Sequence, residues 1–163
     1  MSAPQILSAE ARAGIDRELA KYPADQRQSA VMSALAIAQA EHGHLSDDVI
    51  DAVAAYLGMP SIAVYEVATF YSMYDLAPVG RHKLCVCTNL PCALSGANEA
   101  ADHLKRKLGV GFNGTTPDGR FTLKEGECFG ACGDAPVLLH NNRRMLTEMT
   151  PRKIDELLAE LAK

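Results

Sequence analysis

All five cysteines of this 163-residue chain lie in its second half, and four of them form two closely spaced pairs. Four residues separate Cys87 from Cys92, and three separate Cys128 from Cys132. The first 76 residues contain no cysteine. Grouped thiols serve as metal ligands, redox groups or disulfides. We therefore expect a chain of two parts, in which the second part carries the chemistry.

The first part, residues 1–76, is predicted to be helical throughout. Apolar residues recur at helical spacing, and helix start and stop signals separate the periodic segments. The predicted N-caps are Ser8, Asp25 and Ser46, and the predicted terminating glycines are Gly43 and Gly58. Asp25 and Gln28 have the spacing of a capping box.

Two expectations about these helices depend on their apolar residues. The first helix is predicted to carry Ile15, Leu19 and Tyr22 on one face. The fourth, SIAVYEVATFYSMY at residues 61–74, is predicted to be capped by Ser61. Because it is apolar nearly all round, we expect it to be the most buried of the four.

The second part, residues 77–163, mixes strands with helices after a break at Pro78 and Gly80. Strands are predicted at residues 82–87, 120–126, 136–142 and 144–149, and helices at residues 95–108 and from Thr150 onward. Asn141 and Asn142 are predicted to form a hairpin turn. This order of elements indicates a small α/β domain behind a helical one.

The segment GVGFNG, residues 109–114, matches the dinucleotide-binding pattern G-x-G-x-x-G. That pattern binds a pyrophosphate only where it follows a strand and opens a helix. Here it follows a predicted helix and leads into a turn. We therefore interpret the glycines as a helix stop and a loop, and expect no NAD site in this chain.

Composition excludes several classes of protein. The net charge of −4 offers no basic surface for nucleic acid. The N-terminus lacks the pattern of a secretory signal, and no apolar run approaches the roughly 20 residues of a membrane span. We expect a soluble cytoplasmic chain without membrane insertion. Stable disulfides are rare in that compartment, so the cysteines are expected to bind metal or to act in redox chemistry.

Three kinds of site compete for the paired cysteines. A thioredoxin-type redox centre requires C-x-x-C, and neither pair has it. Structural zinc tolerates both spacings. A [2Fe–2S] cluster takes four thiolates, and its sulfides favour nearby backbone N–H groups, which small residues expose. Small or polar neighbours suited to that purpose are Thr88, Asn89, Gly130, Ala131 and Gly133. The spacing and surroundings favour iron–sulfur, with a structural zinc adapter and a redox thiol protein as alternatives.

Other reactive side chains give weaker signals. Cys85 lies on the same predicted strand face as Cys87, and we interpret it as a small buried hydrophobe and not as a ligand. The histidines are predicted to be surface or capping residues: His42, His44, His82, His103 and His140. The sequence shows no Ser-His-Asp or paired-carboxylate arrangement, so we expect no catalysis by this chain alone.

The segments that contain both cysteine pairs, together with much of the helical half, resemble a known family. They are residues 29–60, VYEVATFYSMYDLAPVG (64–80), CTNLPCALSGA (87–97) and CFGACGDAPVLL (128–139). The chain resembles the small [2Fe–2S] subunit, of the E type, of NADH:quinone oxidoreductase, respiratory complex I. Related subunits serve NAD-dependent formate dehydrogenases and NAD-linked hydrogenases. The resemblance implies an α+β chain with an N-terminal four-helix bundle and a thioredoxin-like C-terminal domain.

The resemblance also implies a site and a function. The cluster ligands would be Cys87, Cys92, Cys128 and Cys132. One [2Fe–2S] cluster would exchange single electrons with the FMN of a partner NADH-binding flavoprotein subunit. This chain would belong to the peripheral arm, on the cytoplasmic side of the inner membrane. One position departs from the family pattern: Phe129 stands where Leu is usual, which affects packing near the cluster.

Overall fold

The structure, a computed structural model, describes residues 6–162 and separates into two compact units, Met1–Pro78 and Val79–Lys163. The first unit is built from helices, and the second is built on a four-stranded sheet. No helix in the described residues is both long enough and apolar enough to cross a membrane.

The described part of the first unit, from residue 6 onward, contains four α-helices: α1 (Ala9–Leu19), α2 (Val31–His42), α3 (Asp47–Leu57) and α4 (Ser61–Phe70). Their apolar sides meet in one core, whose buried members include Ile15, Leu35, Ile50 and Val53. Apolar residues three and four positions apart share a helix face, so each helix contributes one side to this core. The predicted helical first half is thereby confirmed.

The predicted ends of several helices are confirmed as well. Ser8 Oγ accepts a hydrogen bond from Ala11 N–H at 3.1 Å, and Ser46 Oγ accepts one from the first turn of α3 at 3.4 Å. These bonds satisfy donors that have no partner within the helix. Helices α2 and α3 end at Gly43 and Gly58, with φ of 79° and 71°, in the left-handed region that glycine adopts most easily.

The predicted capping box at Asp25 is wrong. A 3-10 helix, Arg27–Ala30, precedes α2, and the residue that caps α2 makes no side-chain hydrogen bond. The Gln28 side chain donates to Gln26 Oε1 at 3.1 Å and does not reach back to Asp25. Spacing alone did not reveal that this segment forms a tighter turn before the α-helix begins.

The first helix is also shorter than its apolar pattern predicts. It ends at Leu19, and Tyr22 lies in the following turn, 39% exposed. Tyr22 immediately precedes Pro23, and a residue before proline is disfavoured in the helical conformation. Pro23 therefore keeps Tyr22 out of the helix, although the apolar spacing continues to this residue.

The fourth helix is not the most buried, contrary to expectation. Its buried residues are Val64 and Ala68. Ile62 is 74% exposed and Phe70 is 79% exposed. Ser61, predicted as the cap, is the first helical residue and bonds to Asp51. Helix α4 packs along one side, so the apolar side chains on its other side face away from this core.

The sheet of the second unit has the order β2-β1-β3-β4. Its strands are β1 (His82–Cys87), β2 (Phe121–Gly126), β3 (Leu138–His140) and β4 (Arg144–Leu146). Strands β1 and β2 are parallel, and β3 is antiparallel to both β1 and β4. The last two strands are shorter than predicted. Pro136 has no N–H to donate to a strand ladder, and Asn141 and Asn142 form the turn between them.

Three helices complete this unit: α5 (Leu90–Leu94), α6 (Ala97–Leu108) and α7 (Pro151–Leu161). Helix α5 was not expected from the sequence. Thr150 caps α7 as predicted, since its Oγ1 accepts a bond from Lys153 N–H at 3.4 Å. Residues of α6 and α7 share a core with Leu84 and Val86 of β1. Because side chains alternate along a strand, Cys85 and Cys87 lie on the opposite face.

The glycine-rich segment after α6 is a loop, as predicted. Gly109 ends the helix with φ of 68°. Asn113 N–H donates to Leu123 O at 2.7 Å, and Leu123 N–H donates to Gly114 O at 3.0 Å. The segment therefore follows a helix C-terminus and pairs its backbone with β2.

Candidate functional site

Cys87 and Cys92 are the buried pair of thiols. Cys87 is the last residue of β1 and is 1% exposed, while Cys92 lies in α5 and is 2% exposed. They share a small apolar cluster with Ala97 and Val137. Cys92 was predicted in a loop, and the short helix that carries it turns its side chain back against the end of β1.

Cys128 and Cys132 are the exposed pair. Both follow β2, and Cys132 begins a 3-10 helix, Cys132–Asp134. Gly130 N–H donates to Cys128 Sγ at 3.4 Å. One of the small residues named from the sequence thus places its N–H on a cysteine sulfur, while the expected donors to the sulfides of the cluster stay a prediction.

The expectation of a backbone donor to sulfur is wrong for Thr88. Its N–H donates to Gly126 O at 3.1 Å, and its Oγ1 donates to Glu125 Oε1 at 2.8 Å. Pairing between the ends of β1 and β2 occupies both donors. Both donors of Thr88 therefore form hydrogen bonds within the sheet and not to a sulfur atom.

The fold brings the two pairs together because β1 and β2 are parallel neighbours. Cys87 pairs with Gly126 in the register, so the loops leaving both strands start at the same edge of the sheet. The Cys87 thiol donates to Glu127 O at 3.6 Å, one residue before Cys128. The prediction that the two loops leave neighbouring strands is confirmed.

Electrostatics also link all four thiols. Burial, a hydrogen bond with Cys87 and the charges of Cys87, Cys132 and Cys128 together raise the pKa of Cys92 to about 11, and burial contributes most. Neighbouring thiolates disfavour ionisation of one another unless a cation compensates them. The four thiols therefore lie close enough to interact and suit a positively charged centre.

This donor set fits a [2Fe–2S] cluster. Such a cluster takes four cysteine thiolates, two on each of its two irons. Within residues 6–162, no three Cys, His, Asp or Glu side chains lie close enough to hold one metal ion between them. In a two-iron cluster, only two protein thiolates bind each iron. The Gly130 N–H on Cys128 Sγ is the kind of donor that tunes such a site.

Cys85 and Phe129 lie beside the pairs. Cys85 is half-buried, and a Cβ atom added to Gly126 would stand 3.0 Å from its Sγ. The same Cβ would stand 2.8 Å from Cε1 of Phe129. The assignment of Cys85 as a non-ligand stays a prediction. The contact between Phe129 and Gly126 has no signature in the sequence, because no motif relates the two residues.

The expectation that the histidines are surface or capping residues is wrong for His82 and His140. Both are half-buried, and His82 Nδ1 lies 3.2 Å from His140 Nε2. Burial lowers the pKa of His140, and the charges of His82 and Arg144 lower it further, while Glu160 opposes the shift. Residues 58 positions apart meet here only because β1 and β3 pair.

His103 is also engaged, although the sequence presents it as isolated. Its Nε2 lies 2.8 Å from Asp155 Oδ1, and Lys107 Nζ lies 3.1 Å from the same oxygen. These contacts join α6 to α7. They lower the pKa of Asp155, chiefly through the hydrogen bond from His103. His103 therefore has a structural partner distant in sequence.

Comparison with known proteins identifies relatives over most of the chain. Residues 15–162 match the family model of thioredoxin-like [2Fe–2S] ferredoxins. The NADH-quinone oxidoreductase E-type subunit numbered 2 of Rhizobium meliloti (strain 1021) is 47% identical over 127 residues, which cover 78% of this chain and 74% of the relative. NADH-quinone oxidoreductase subunit 2 of Thermus thermophilus is 37% identical over 147 residues, covering 90% and 81%.

Solved structures share the fold. A chain of an NAD⁺-reducing [NiFe]-hydrogenase in the H₂-reduced state matches with a TM-score of 0.67 and 20% identity. The match covers 78% of this chain and 22% of the hydrogenase chain. A chain of an NAD⁺-reducing [NiFe]-hydrogenase in the air-oxidized state matches with a TM-score of 0.63 and 15% identity, over 99% of this chain and 24% of the other. At such identities the likeness concerns the fold.

Proposed function

Because the chain belongs to the thioredoxin-like [2Fe–2S] ferredoxin family, with E-type subunits of NADH-quinone oxidoreductase among its relatives, we propose that it is the electron-transfer subunit of such a complex. Its ligands to one [2Fe–2S] cluster are Cys87, Cys92, Cys128 and Cys132. The observation that carries this assignment is the parallel pairing of β1 with β2, since both cysteine loops leave the same sheet edge.

The cluster, when bound, supplies one-electron chemistry. The residues of the chain bind it and control its surroundings. Buried Cys87 and Cys92 hold one side away from water, while exposed Cys128 and Cys132 lie on the side open to solvent. Gly130 N–H donates toward the Cys128 sulfur and favours negative charge there. An asymmetric site of this kind suits electron exchange with a partner that approaches from the exposed side.

The proposed partner is the NADH-binding flavoprotein subunit, whose FMN exchanges single electrons with this chain. The chain contributes no hydride chemistry and is not catalytic on its own. Within the complex it belongs to the peripheral arm, on the cytoplasmic side of the membrane. The names of the relatives support membership in an NADH-quinone oxidoreductase. The flavin partner is what the resemblance to that family implies, and a flavin suits the role because it can accept two electrons and release them singly.

A second candidate is the equivalent subunit of an NAD-linked hydrogenase or formate dehydrogenase. The fold shared with the two hydrogenase chains favours it. Co-purification separates the two candidates: the first predicts that the chain is recovered with a quinone-reducing complex, and the second predicts recovery with a hydrogenase or formate dehydrogenase.

Metal analysis of the anaerobically purified chain tests the cluster itself. We expect about two irons and about two acid-labile sulfides per chain, and a red-brown colour. Serine in place of any of the four ligands should abolish the wild-type content, whereas Cys85→Ala should retain it. A colourless protein loaded with zinc would refute the proposal and favour the structural adapter.

Electron transfer is tested with the loaded protein and the flavoprotein subunit. NADH should reduce the cluster only when the flavoprotein is present, and the Cys132→Ser protein serves as the cluster-deficient control. Reduction by NADH without the flavoprotein would contradict the assigned partner.

A further inference from the structure

The ring of Phe129 occupies the place of a side chain at Gly126. A Cβ atom at Gly126 would lie 2.8 Å from Cε1 of the ring, closer than real Cβ contacts allow. Gly126 is buried and lies in β2 outside the positive-φ region. A side chain at this position would therefore displace the ring, whereas the backbone conformation of the strand does not itself favour glycine.

This contact lies next to the buried thiols. Gly126 pairs with Cys87 across β1 and β2, and Cys85 Sγ borders the same position. Phe129 packs against the small apolar cluster that contains Cys87 and Cys92. The ring thus joins the end of β2 to the two thiols that the fold removes from water.

Phe129 is also the one bulky apolar side chain of its loop. From residue 126 to residue 136 the other residues are glycine, alanine, cysteine, proline, glutamate and aspartate. Glycine and alanine expose backbone and cover little area. Phe129 therefore offers the largest apolar surface that this loop can place over the site.

We propose that Phe129 is a shielding and positioning residue for the cluster. Its ring, seated on Gly126, keeps water from the sulfurs of Cys87 and Cys92, and thereby lowers the reduction potential and slows cluster loss. The reduced cluster carries more negative charge, and a drier environment disfavours that charge. This inference rests on the proposed function, because it assumes that the four cysteines hold the cluster.

The test uses the full chain, loaded with its cluster under anaerobic conditions. In Phe129→Ala, release of iron to a chelator should be about tenfold faster, within the range typical of partners around a metal site. The midpoint potential should rise, and a tenfold change in the reduction equilibrium corresponds to about 59 mV for one electron. Phe129→Leu should show a smaller change in both quantities.

Gly126→Ala tests the same contact by changing the residue against which the Phe129 ring packs. The added methyl group displaces the ring, so the potential and the release rate should change in the same direction. In the double variant Gly126→Ala with Phe129→Ala, the change should be no larger than in Phe129→Ala alone, since both remove one contact. Phe112→Ala is the matched control. Phe112 contacts Lys105 at 4.2 Å and packs on the other core, so its loss should leave the potential unchanged.

The outcomes separate the two levels of the proposal. If the wild-type chain binds no iron and sulfide, the proposed function fails. If it loads normally and Phe129→Ala keeps the wild-type potential and release rate, the shielding role fails. If Phe129→Ala loses its cluster during purification, the potential and the iron-release rate are compared between Gly126→Ala and the wild type. Unchanged values in Gly126→Ala overturn the inference. Additive changes in the double variant overturn it as well.

Discussion

Serine substitutions at Cys92 and Cys132 are expected to differ in their effect on the metal-free protein, although each removes one proposed ligand. Cys92 is 2% exposed and packs with Ala97 and Val137. Cys132 is exposed to solvent. The two substitutions introduce the same hydroxyl group into opposite environments.

The difference follows from the hydration of that hydroxyl. At position 92 the buried hydroxyl would find only the weakly bonding thiol of Cys87 as a partner, and a poorly satisfied buried polar group costs about 1–3 kcal/mol. A substitution at an exposed position is usually within about 0.5 kcal/mol of neutral. We therefore expect Cys92→Ser to destabilise the second unit by about 2 kcal/mol more than Cys132→Ser, which is about thirtyfold in the opening equilibrium.

Amide hydrogen exchange in β1 and β2 measures this difference. It reports opening of the sheet separately from the helices of the first unit. Cys128→Ser, at another exposed thiol, is the control and should behave like Cys132→Ser. Equal loss of protection in Cys92→Ser and Cys132→Ser would refute the argument from burial.

Three further predictions concern the second unit. Thr122 is 1% exposed and its Oγ1 accepts a bond from Gly80 N–H at 2.6 Å, so Thr122→Val should cost about 1–3 kcal/mol in urea unfolding and Thr122→Ser less. Burial lowers the pKa of His140 below 6.5, so the unfolded chain binds more protons than the folded chain. The free energy of unfolding should therefore fall as the pH drops from about 7.5 to about 5. Urea midpoints in His140→Gln should show a weaker pH dependence; an unchanged slope would contradict this assignment. Gly96 has φ of 93° and room for a methyl group, so Gly96→Ala should lose about 1–2 kcal/mol in urea unfolding through backbone strain alone.

Local chemistry explains why much of the fold could be predicted. Ser8 and Ser46 act as caps, and Gly43 and Gly58 end helices, because each residue interacts with backbone a few positions away. Strand β1 was predicted with its observed bounds. The exposure of Ile62 and Phe70 was not predicted, since periodicity shows that a helix is apolar and does not show how much of it a core covers.

The candidate site divides in the same way. The paired spacing of the cysteines and the small residues around them point to a thiolate-bound cofactor, and the resemblance to a family narrows the choice. The pairing of His82 with His140, and the use of the Thr88 donors by Gly126 and Glu125, depend on contacts between strands. No local pattern contains that information.

The sequence by itself determined which residues can supply thiolates, where most helices and strands lie, and that the chain divides into a helical and a mixed part. Only the tertiary structure decided that Cys87 and Cys92 are buried while Cys128 and Cys132 are exposed, and that Phe129 is seated on Gly126. The physical reason is that spacing and capping act through neighbouring backbone. Burial and ring contacts arise only when strands distant in sequence pair and loops close over their ends.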